Sequence, residues 1–413
     1  MPAAPPPLRS ASLWHRPGRG LLAAVCFTVA LLALPASADD ANPVAPLATL
    51  PLEYVQGLPL LQARINGRDI GYLLFDTGGS FALDAQTSDA LALPRGKPIR
   101  LLGMGTATAQ SQRIRATTLQ LGDLTLQDVD GVNTDLSFLR QAFHDVPVVG
   151  IIGAELYLHQ PLAIDHDHDE LRVYPPGSNP FAGKPNPVPL LSSGHDGQKL
   201  VVPARIGNSD SKIVLDSGYD AALAIVGEHA GSLQRTGPLR RLVGSGIGGT
   251  NLYQIALAEP ISLFGQRLPP QVAEFYLSPQ SAAPILNEID AYVGPPLLRR
   301  FNLYIDKPRA LLHAELRPPG CEHPQYGNSG LIAWKTAQGF AISTVLPHSP
   351  AANAGLRRGM LITRVDSLPA DAIGQCELDS KLDGATGTRV RLRLQTPAPD
   401  AVELQLEPLF ASP

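Results

Sequence analysis

One short acidic motif occurs twice in this chain, at positions 140 residues apart. In each copy an apolar run ends at an aspartate, and a small hydroxyl residue and a glycine follow at once. The copies are Asp76-Thr77-Gly78 and Asp216-Ser217-Gly218. A carboxylate at the end of a buried strand is costly unless it is hydrogen-bonded or paired, and glycine permits the tight turn that brings N–H groups to it. The motif therefore predicts two equivalent turns, each presenting one carboxylate.

The sequence around the two motifs is duplicated as well. Three further segments recur in the same order. They are residues 63–67 with 204–208, residues 148–153 with 291–296, and residues 162–165 with 303–306. The first pair is predicted to enter a hairpin turn before the acidic strand. Internal repetition of this kind indicates a repeated architecture, so we expect two similar β-rich units in one chain.

The duplicated motif resembles the Asp-Thr/Ser-Gly signature of the aspartic proteases in their two-lobed, single-chain form. This resemblance implies a mainly β fold with two homologous acid-protease-like β-barrel lobes. It also implies that Asp76 and Asp216 form a catalytic dyad, and its supporting residues would be Thr77, Gly78, Ser217 and Gly218. Two adjacent carboxylates cannot both ionise easily, so one would activate a water while the other polarises the scissile carbonyl. Water is then the nucleophile, and we expect no metal or organic cofactor.

The resemblance also implies a flap that covers the substrate, about 25–30 residues beyond the first aspartate. Gly103, Met104 and Gly105 lie at that distance, and their glycines permit a mobile hairpin tip. Gly244 and Gly246 occupy the matching place in the second copy. We therefore expect these five residues to line the substrate cleft.

Two positions depart from the family pattern. Gly79 and Tyr219 stand where the family often has Ser, Thr or Ala, so neither supplies a small hydroxyl beside the dyad. Asp220 follows Tyr219 and would either add negative charge near the dyad or lie in a solvated turn. A rival interpretation therefore stays open, in which the protein binds peptides in the cleft without cleaving them.

Two other motifs suggest different chemistry. Residues 165–170 combine histidines and carboxylates, which would suit a metal-dependent hydrolase, but their position between strand-like runs predicts a solvated hairpin turn. Their repeat partner, residues 306–309, has no ligand set. The glycine-rich residues 244–249 lack the Lys-Ser/Thr of a P-loop. We expect neither a metal site nor a nucleotide site.

The first 38 residues are typical of a secretory signal. Arginines 9, 16 and 19 precede an apolar run at 21–34, and Ala36-Ser37-Ala38 has a cleavage-site pattern. The run is short for a spanning helix, so we expect export to the periplasm or the medium and no stable membrane span after cleavage. A formal charge of −4 gives no reason to expect nucleic acid as a partner.

A third unit follows the duplicated part. Residues 343–362 resemble the heart of a PDZ domain of the bacterial protease-associated type, although Met360 and Asp366 depart from the usual pattern. The resemblance implies β-augmentation, in which a peptide pairs with an edge strand and backbone N–H groups capture its C-terminal carboxylate. The peptide-binding residues would be Ser329, Gly330, Leu331 and Ile332. The alternative is that this unit only packs on the protease lobes.

These observations predict six segments. They are a signal peptide at 1–38, a flexible lead-in at 39–50, a first lobe at 51–178, a linker at 179–189, a second lobe at 190–318 and a PDZ domain at 326–410. The expected partners are peptide or unfolded protein substrates and protein C-termini. Cys321 and Cys376 remain after signal cleavage, and the sequence leaves open whether they form a disulfide.

Overall fold

A computed structural model describes residues 44–143, 145–192, 197–227, 229–233, 235–276, 288–320, 325–395 and 401–410. Strands dominate these residues, which confirms the prediction of a mainly β protein. The predicted signal peptide lies outside the described residues, as does Cys321. None of the helices in the described ranges has the length and apolar character needed to cross a membrane.

The strands are numbered in chain order. The first group is β1 (Ala48–Pro51), β2 (Glu53–Val55), β3 (Leu58–Ile65), β4 (Arg68–Phe75), β5 (Ala82–Asp84), β6 (Arg95–Leu101), β7 (Ala109–Leu121), β8 (Leu124–Thr134), β9 (Val148–Ile152), β10 (Leu162–Asp165), β11 (Glu170–Val173) and β12 (Val188–Pro189). The second group is β13 (Val201–Ile206), β14 (Ser209–Leu215), β15 (Leu223–Ile225), β16 (Arg235–Gly246), β17 (Gly249–Ala258), β18 (Ile261–Leu263), β19 (Gln266–Leu268), β20 (Val272–Phe275), β21 (Ala291–Val293), β22 (Phe301–Asp306) and β23 (Leu311–Leu316). The last group is β24 (Leu331–Thr336), β25 (Gly339–Val345), β26 (Leu361–Val365), β27 (Leu368–Pro369), β28 (Arg389–Leu394) and β29 (Ala401–Gln405).

The helices are short. The α-helices are α1 (Ala85–Ala90), α2 (Ser137–Phe143), α3 (His229–Ser232), α4 (Pro295–Leu298), α5 (Pro350–Asn353) and α6 (Gln375–Leu382). Single 3-10 turns occur at Ala154–Leu156, Lys307–Arg309 and Ala370–Ala372.

The same strand arrangement occurs twice. We call β2–β9 the N-terminal β unit and β13–β21 the central β unit. In each unit an antiparallel hairpin, β3–β4 or β13–β14, ends in the acidic strand, which runs parallel to β9 or β21. The strand after the acidic turn, β5 or β15, then pairs on the other side of β9 or β21. The predicted hairpins are therefore confirmed.

One predicted match has the wrong register. Phe75 pairs with Ile152 and Leu215 pairs with Val293, so Gly153 is equivalent to Gly294. The sequence comparison had aligned residues 148–153 with 291–296, which is two residues off. That alignment places Ile151 opposite Gly294, because it matches the apolar runs as wholes and not their glycines.

A separate six-stranded sheet joins the two halves of the chain, and we call it the bridging sheet. Its order is β1-β11-β10-β22-β23-β12, and its two central strands are the recurring segments 162–165 and 303–306. They pair with each other, with Ala163 opposite Tyr304. The prediction of a flexible lead-in is wrong for residues 48–50, because Ala48–Pro51 pairs with β11 and Leu50 is fully buried there.

The apolar core continues through both β units and the bridging sheet. Phe75, Phe81, Phe275 and Phe301 are among its fully buried side chains. Each such side chain contributes about 1.5–3 kcal/mol relative to leaving it exposed. The two acidic turns therefore rest on a continuous packed base rather than on independent domains.

Strands β24–β29 form a further sheet with its own core, which we call the C-terminal β unit. Phe340, Ile362, Leu378 and Leu392 are buried in it. Ser349 caps α5 by accepting the Ala352 N–H, and Pro350 begins that helix. Cys376, at the start of α6, is disulfide-bonded.

Candidate active site

Each repeated aspartate is placed by the end of one strand and the start of the next turn. The Asp76 N–H donates to the Ile152 carbonyl at 2.9 Å, and the Asp216 N–H donates to the Val293 carbonyl at 2.9 Å. The N–H groups of Gly78 and Gly218 donate to Oδ1 of the aspartate two residues earlier, at 2.8 and 3.0 Å. The two turns thus have the same hydrogen bonds.

The turns are fastened to each other through their hydroxyl residues. The Thr77 N–H donates to Ser217 Oγ at 3.0 Å, and the Ser217 N–H donates to Thr77 Oγ1 at 2.9 Å. Thr77 Oγ1 in turn donates to the Leu215 carbonyl at 2.8 Å, and Ser217 Oγ donates to the Phe75 carbonyl at 2.7 Å. Each hydroxyl both accepts and donates across the junction, and both residues are buried. This reciprocal exchange holds the two aspartates face to face.

Glycine is required where the turns meet. A Cβ atom on Gly78 would lie 2.5 Å from Asp216 Oδ2, and one on Gly218 would lie 2.5 Å from the carboxyl carbon of Asp76. Each carboxylate therefore packs on the opposite glycine. Gly79 is confined too, since a Cβ atom there would lie 2.7 Å from Asp76 Oδ2. The missing hydroxyl at position 79 follows from this lack of space.

The two carboxyl groups lie close enough to interact, and a hydrogen bond between them requires one of them to carry a proton. Burial raises the pKa of Asp76, and the hydrogen bond from Asp216 and the nearby charge of Lys199 lower it. Burial also raises the pKa of Asp216, and the negative charge of Asp76 raises it further. The pair therefore holds a single proton over a range of pH that extends above the usual pKa of an aspartic acid.

Tyr219, in the second turn, begins a buried polar cluster. Its hydroxyl donates to Glu274 Oε2, and the Tyr276 hydroxyl donates to the same oxygen at 3.0 Å. Burial raises the pKa of Glu274 to about 8, with a further contribution from the negative charge of Asp220. Asp220 is a solvent-exposed residue, yet desolvation of its carboxyl group by the surrounding protein raises its pKa as well. Glu274 is therefore neutral at pH 7.

The first turn contacts side chains that the sequence did not single out. Lys199 Nζ donates to the Gly78 carbonyl, and the Gln198 side chain accepts from Ser80 Oγ. The Tyr157 hydroxyl contacts both the Thr77 carbonyl, at 2.9 Å, and the Gln198 carbonyl, at 3.1 Å. These contacts bring the segment just before β13 against the Asp76 turn.

Glu155 lies near Asp76 and was also missed by sequence analysis. Its carboxylate accepts the Phe81 N–H at 2.8 Å and the Gly153 N–H at 3.2 Å. Burial raises the pKa of Glu155, and the charge of Asp76 adds to that effect. Differences between the two copies would have pointed to it, since the structural equivalent of Glu155 is Pro296.

The two glycine-rich loops meet at their tips. We call residues 104–107 and 247–251 the tip bridge. The Gly105 N–H donates to the Ile247 carbonyl at 3.0 Å, the Ala107 N–H donates to the Gly248 carbonyl at 2.9 Å, and Asn251 Nδ2 donates to the Met104 carbonyl at 2.8 Å. Of the predicted cleft residues, Gly103, Met104 and Gly105 lie at the tip, whereas Gly244 and Gly246 lie on β16 just before it.

The tips also exchange apolar side chains. Met104, from the N-terminal β unit, packs against a cluster of the central β unit that includes Tyr253 and Tyr276. Ile247, from the central β unit, packs against a cluster of the N-terminal β unit that includes Ile151. Ile151 in turn borders Gly79, beside Asp76. The tip bridge therefore spans from one β unit to the other on the side of the aspartates.

In the predicted peptide-binding loop of the C-terminal β unit, backbone N–H groups already donate hydrogen bonds within the chain. The Ser329, Gly330 and Leu331 N–H groups donate to the Leu382 carbonyl at 3.0 Å, the Tyr326 carbonyl at 2.8 Å and Ser329 Oγ at 3.2 Å, respectively. Ser329 is fully buried, and Ile332 packs against an apolar cluster that holds residues of both the central part and the C-terminal part of the chain. Carboxylate capture by this loop therefore stays a prediction, and it would require these three bonds to open.

The edge strand beside that loop is partly paired as well. The Gln375 side chain, on α6, donates to the Ala333 carbonyl at 2.8 Å and accepts the Lys335 N–H at 2.8 Å. One side-chain amide thus bonds β24 in the way that a peptide group of a neighbouring strand would. A peptide adding as a strand would have to displace Gln375.

The C-terminal β unit touches both other units. The Trp334 ring lies against Gly57, where a Cβ atom would be 2.8 Å from the ring. Arg358 donates to the Gln141 carbonyl at 3.4 Å, and Arg240 of the central β unit donates to the Pro347 carbonyl. This unit is therefore positioned as a brace between the two halves.

The histidine and carboxylate run at 165–170 forms the hairpin turn between β10 and β11, as predicted. Side-chain ligand atoms of Asp165, His168 and Glu170 lie within 4.8 Å of one another. Arg172 pairs with both carboxylates, at 2.7 and 2.5 Å, so a cation already neutralises them. The turn is not fully solvated, because His166 is buried against Tyr54, and burial lowers the His166 pKa to about 3.

Comparison with known families identifies one part of this site. A family model described as aspartyl protease matches residues 61–156. This segment resembles aspartyl proteases. It contains the Asp76 turn and the first tip, and the match supports a retropepsin-like protease domain with hydrolase function. No curated protein matches the chain.

Proposed function

We propose that this protein is an aspartic endopeptidase that hydrolyses peptide bonds with a water activated by Asp76 and Asp216. The observation that carries the proposal is the reciprocal bonding of Thr77 and Ser217, which sets the two carboxyl groups face to face, each against the glycine of the opposite turn. The match of residues 61–156 to aspartyl proteases supports it.

The reaction needs only these two groups and water. The ionised carboxylate removes a proton from the water, whose oxygen attacks the scissile carbonyl carbon. The protonated carboxyl donates its proton to the carbonyl oxygen, so a neutral tetrahedral diol forms. The diol then returns a proton through the dyad to the amide nitrogen as the C–N bond breaks. No covalent enzyme intermediate forms, and the dyad ends with the one proton it started with.

The substrate would be an extended peptide or an unfolded protein segment. The tip bridge joins the two β units on the side of the aspartates, so an extended chain would enter where the tips separate. Separation breaks a few backbone hydrogen bonds at glycine-rich tips, which is the kind of motion that admits substrates in gated enzymes.

We also propose the remaining organisation. The N-terminal and central β units would be the two lobes of residues 51–178 and 190–318, and residues 326–410 would be a PDZ domain. Recruitment of a C-terminus by Ser329, Gly330, Leu331 and Ile332 would require the loop to release its internal bonds. While those bonds are intact, the contacts of Trp334 and Arg358 support a bracing role for residues 326–410. The leader at residues 1–38 favours export to the periplasm or the medium.

The test is proteolysis by the mature chain. An unfolded protein and a mixed peptide library are incubated with it from pH 3 to 8, and the products are sequenced by mass spectrometry. We expect internal cleavage that leaves free carboxyl and amino termini. Peptide binding without cleavage at any pH would reject the enzyme and favour the rival, a peptide-binding protein.

A further inference from the structure

Lys199 brings a positive charge to the Asp76 turn. Its ammonium group donates to the carbonyl oxygen of Gly78. The N–H of the same Gly78 bonds Asp76 Oδ1, and its Cα packs against the Asp216 carboxylate. Lys199 therefore binds a residue that contacts both members of the dyad.

The backbone around Lys199 is fixed on several sides. The Lys199 carbonyl accepts from Lys307 Nζ at 2.8 Å, and the preceding carbonyl, of Gln198, accepts from the Tyr157 hydroxyl at 3.1 Å. The next residue, Leu200, is fully buried and accepts the Leu215 N–H at 2.9 Å. Leu215 directly precedes Asp216, so the segment that carries Lys199 is bonded to both acidic turns.

The duplication gives this lysine no counterpart. The matched segments 63–65 and 204–206 place Leu58 at the position equivalent to Lys199, and Leu58 is a buried apolar residue. The two turns share their glycine and hydroxyl hydrogen bonds, and Lys199 adds a cation to the first turn. A purely structural role in the repeat would not call for a charge there.

We propose that Lys199 is a positioning residue that acts through Asp76 and Asp216, holding the catalytic turn at the Gly78 carbonyl and stabilising negative charge on the pair. This inference rests on the proposed function for its effect on catalysis. Its effect on the ionisation of the pair does not depend on turnover.

The charges around the pair determine the direction of the effect. Burial, the largest influence, raises the pKa of both carboxyls, and the charge of Lys199 lowers both. The charge of Asp76 acts on Glu155, and the Tyr157 hydroxyl and Lys307 Nζ contact the Gln198–Lys199 backbone. Removing the Lys199 charge should therefore raise both macroscopic pKa values, and the pH range of the singly protonated pair should move upward.

The experiment compares Lys199→Met, which keeps most of the side-chain length without the charge, with Lys199→Arg, which keeps the charge. Lys212→Met is the matched control, because Lys212 is an exposed cation on the acidic strand of the same unit. The quantity measured is kcat/KM against pH. We expect both limbs of the Lys199→Met profile to move upward by about 0.5–1.5 pH units, with Lys199→Arg and Lys212→Met close to wild type.

A second measurement reads the pair without catalysis. Carboxyl ¹³C signals of protein labelled at aspartate are titrated by NMR, with Asp76→Asn and Asp216→Asn used for assignment. We expect the dyad signals of Lys199→Met to titrate at higher pH than those of wild type. Unchanged titration would overturn the inference, even if Lys199→Met lost activity uniformly. Absence of cleavage by wild type, together with a shifted titration, would reject only the proposed function.

Discussion

Thr77 and Ser217 exchange hydrogen bonds, each backbone N–H donating to the hydroxyl of the other residue, across 140 residues of sequence. The Thr77 hydroxyl donates to the Leu215 carbonyl and the Ser217 hydroxyl to the Phe75 carbonyl, at the ends of the two acidic strands. A displacement of either turn would therefore strain the other. This coupling gives the site its geometry, and its energetic weight can be measured.

Thr77→Val should destabilise the fold. The substitution keeps the side-chain shape but removes a buried hydroxyl, which leaves the Ser217 N–H and the Leu215 carbonyl without their partner. We expect a loss of about 2–3 kcal/mol in the free energy of unfolding, measured by urea denaturation. Thr77→Ser, the matched control, retains the hydroxyl and should lose less than about 1.5 kcal/mol. Equal losses for both variants would contradict a role for these bonds.

Gly78→Ala should reduce cleavage with much of the fold intact. The added Cβ atom would lie 2.5 Å from Asp216 Oδ2, so the carboxylate must move. We expect kcat/KM to fall at least 100-fold, because small displacements of catalytic groups are costly. Gly320→Ala serves as control, since nothing lies within 4 Å of a Cβ atom there. Activity of Gly78→Ala within threefold of wild type would show that the carboxylates need not be in contact.

Asn251→Ala should loosen the tip bridge. The variant removes the bond from Asn251 Nδ2 to the Met104 carbonyl, worth about 1 kcal/mol. If the closed tips hold the bound peptide, KM should rise about fivefold while kcat changes little. Gln266→Ala, at an exposed hairpin of the same unit, should behave like wild type. A change in kcat alone would place Asn251 in the chemical step instead.

Glu274 should make stability depend on pH. Its folded pKa, about 8, is raised above the usual 4.5, so the stability that it contributes is complete below pH 4.5 and is lost as pH rises through 8. As pH rises from 4.5 to 8, the free energy of unfolding of wild type should fall by about 2–4 kcal/mol relative to that of Glu274→Gln, whose side chain is always neutral. Denaturation of both at pH 4.5, 6 and 8 measures the difference. Glu377→Gln, on an exposed face, is the control, and parallel curves for wild type and Glu274→Gln would contradict the assignment.

The local features of the fold could be read from the sequence. An apolar run that ends in Asp-Thr-Gly or Asp-Ser-Gly predicts a strand and a turn, and the hairpins β3–β4 and β13–β14 formed as expected. The repeat did not reveal that residues 162–165 and 303–306 pair with each other, because equal intervals do not specify contact. Residues 48–50 were mistaken for a flexible lead-in because their Pro- and Ala-rich surroundings do not reveal the pairing with the distant strand β11.

The parts of the site that sequence analysis missed depend on distant contacts. Lys199 reaches Gly78 across 121 residues, and Tyr219 reaches Glu274 across 55. No periodicity or motif marks such side chains. The available signal was asymmetry between the copies, in which Lys199 and Glu155 replace apolar or proline residues. In the C-terminal β unit, motif similarity indicated a carboxylate loop but could not show that the chain uses its N–H groups internally.

The central claim is that Asp76 and Asp216 act as one catalytic unit. Its most direct test is kcat/KM for peptide cleavage, between pH 3 and 8, by wild type, Asp76→Asn and Asp216→Asn. Asp220→Asn is the matched control, and circular dichroism establishes that each variant is folded. We predict a loss of at least 100-fold for each dyad variant, and at most a few-fold change for Asp220→Asn. Cleavage that persists in either folded dyad variant would contradict the claim.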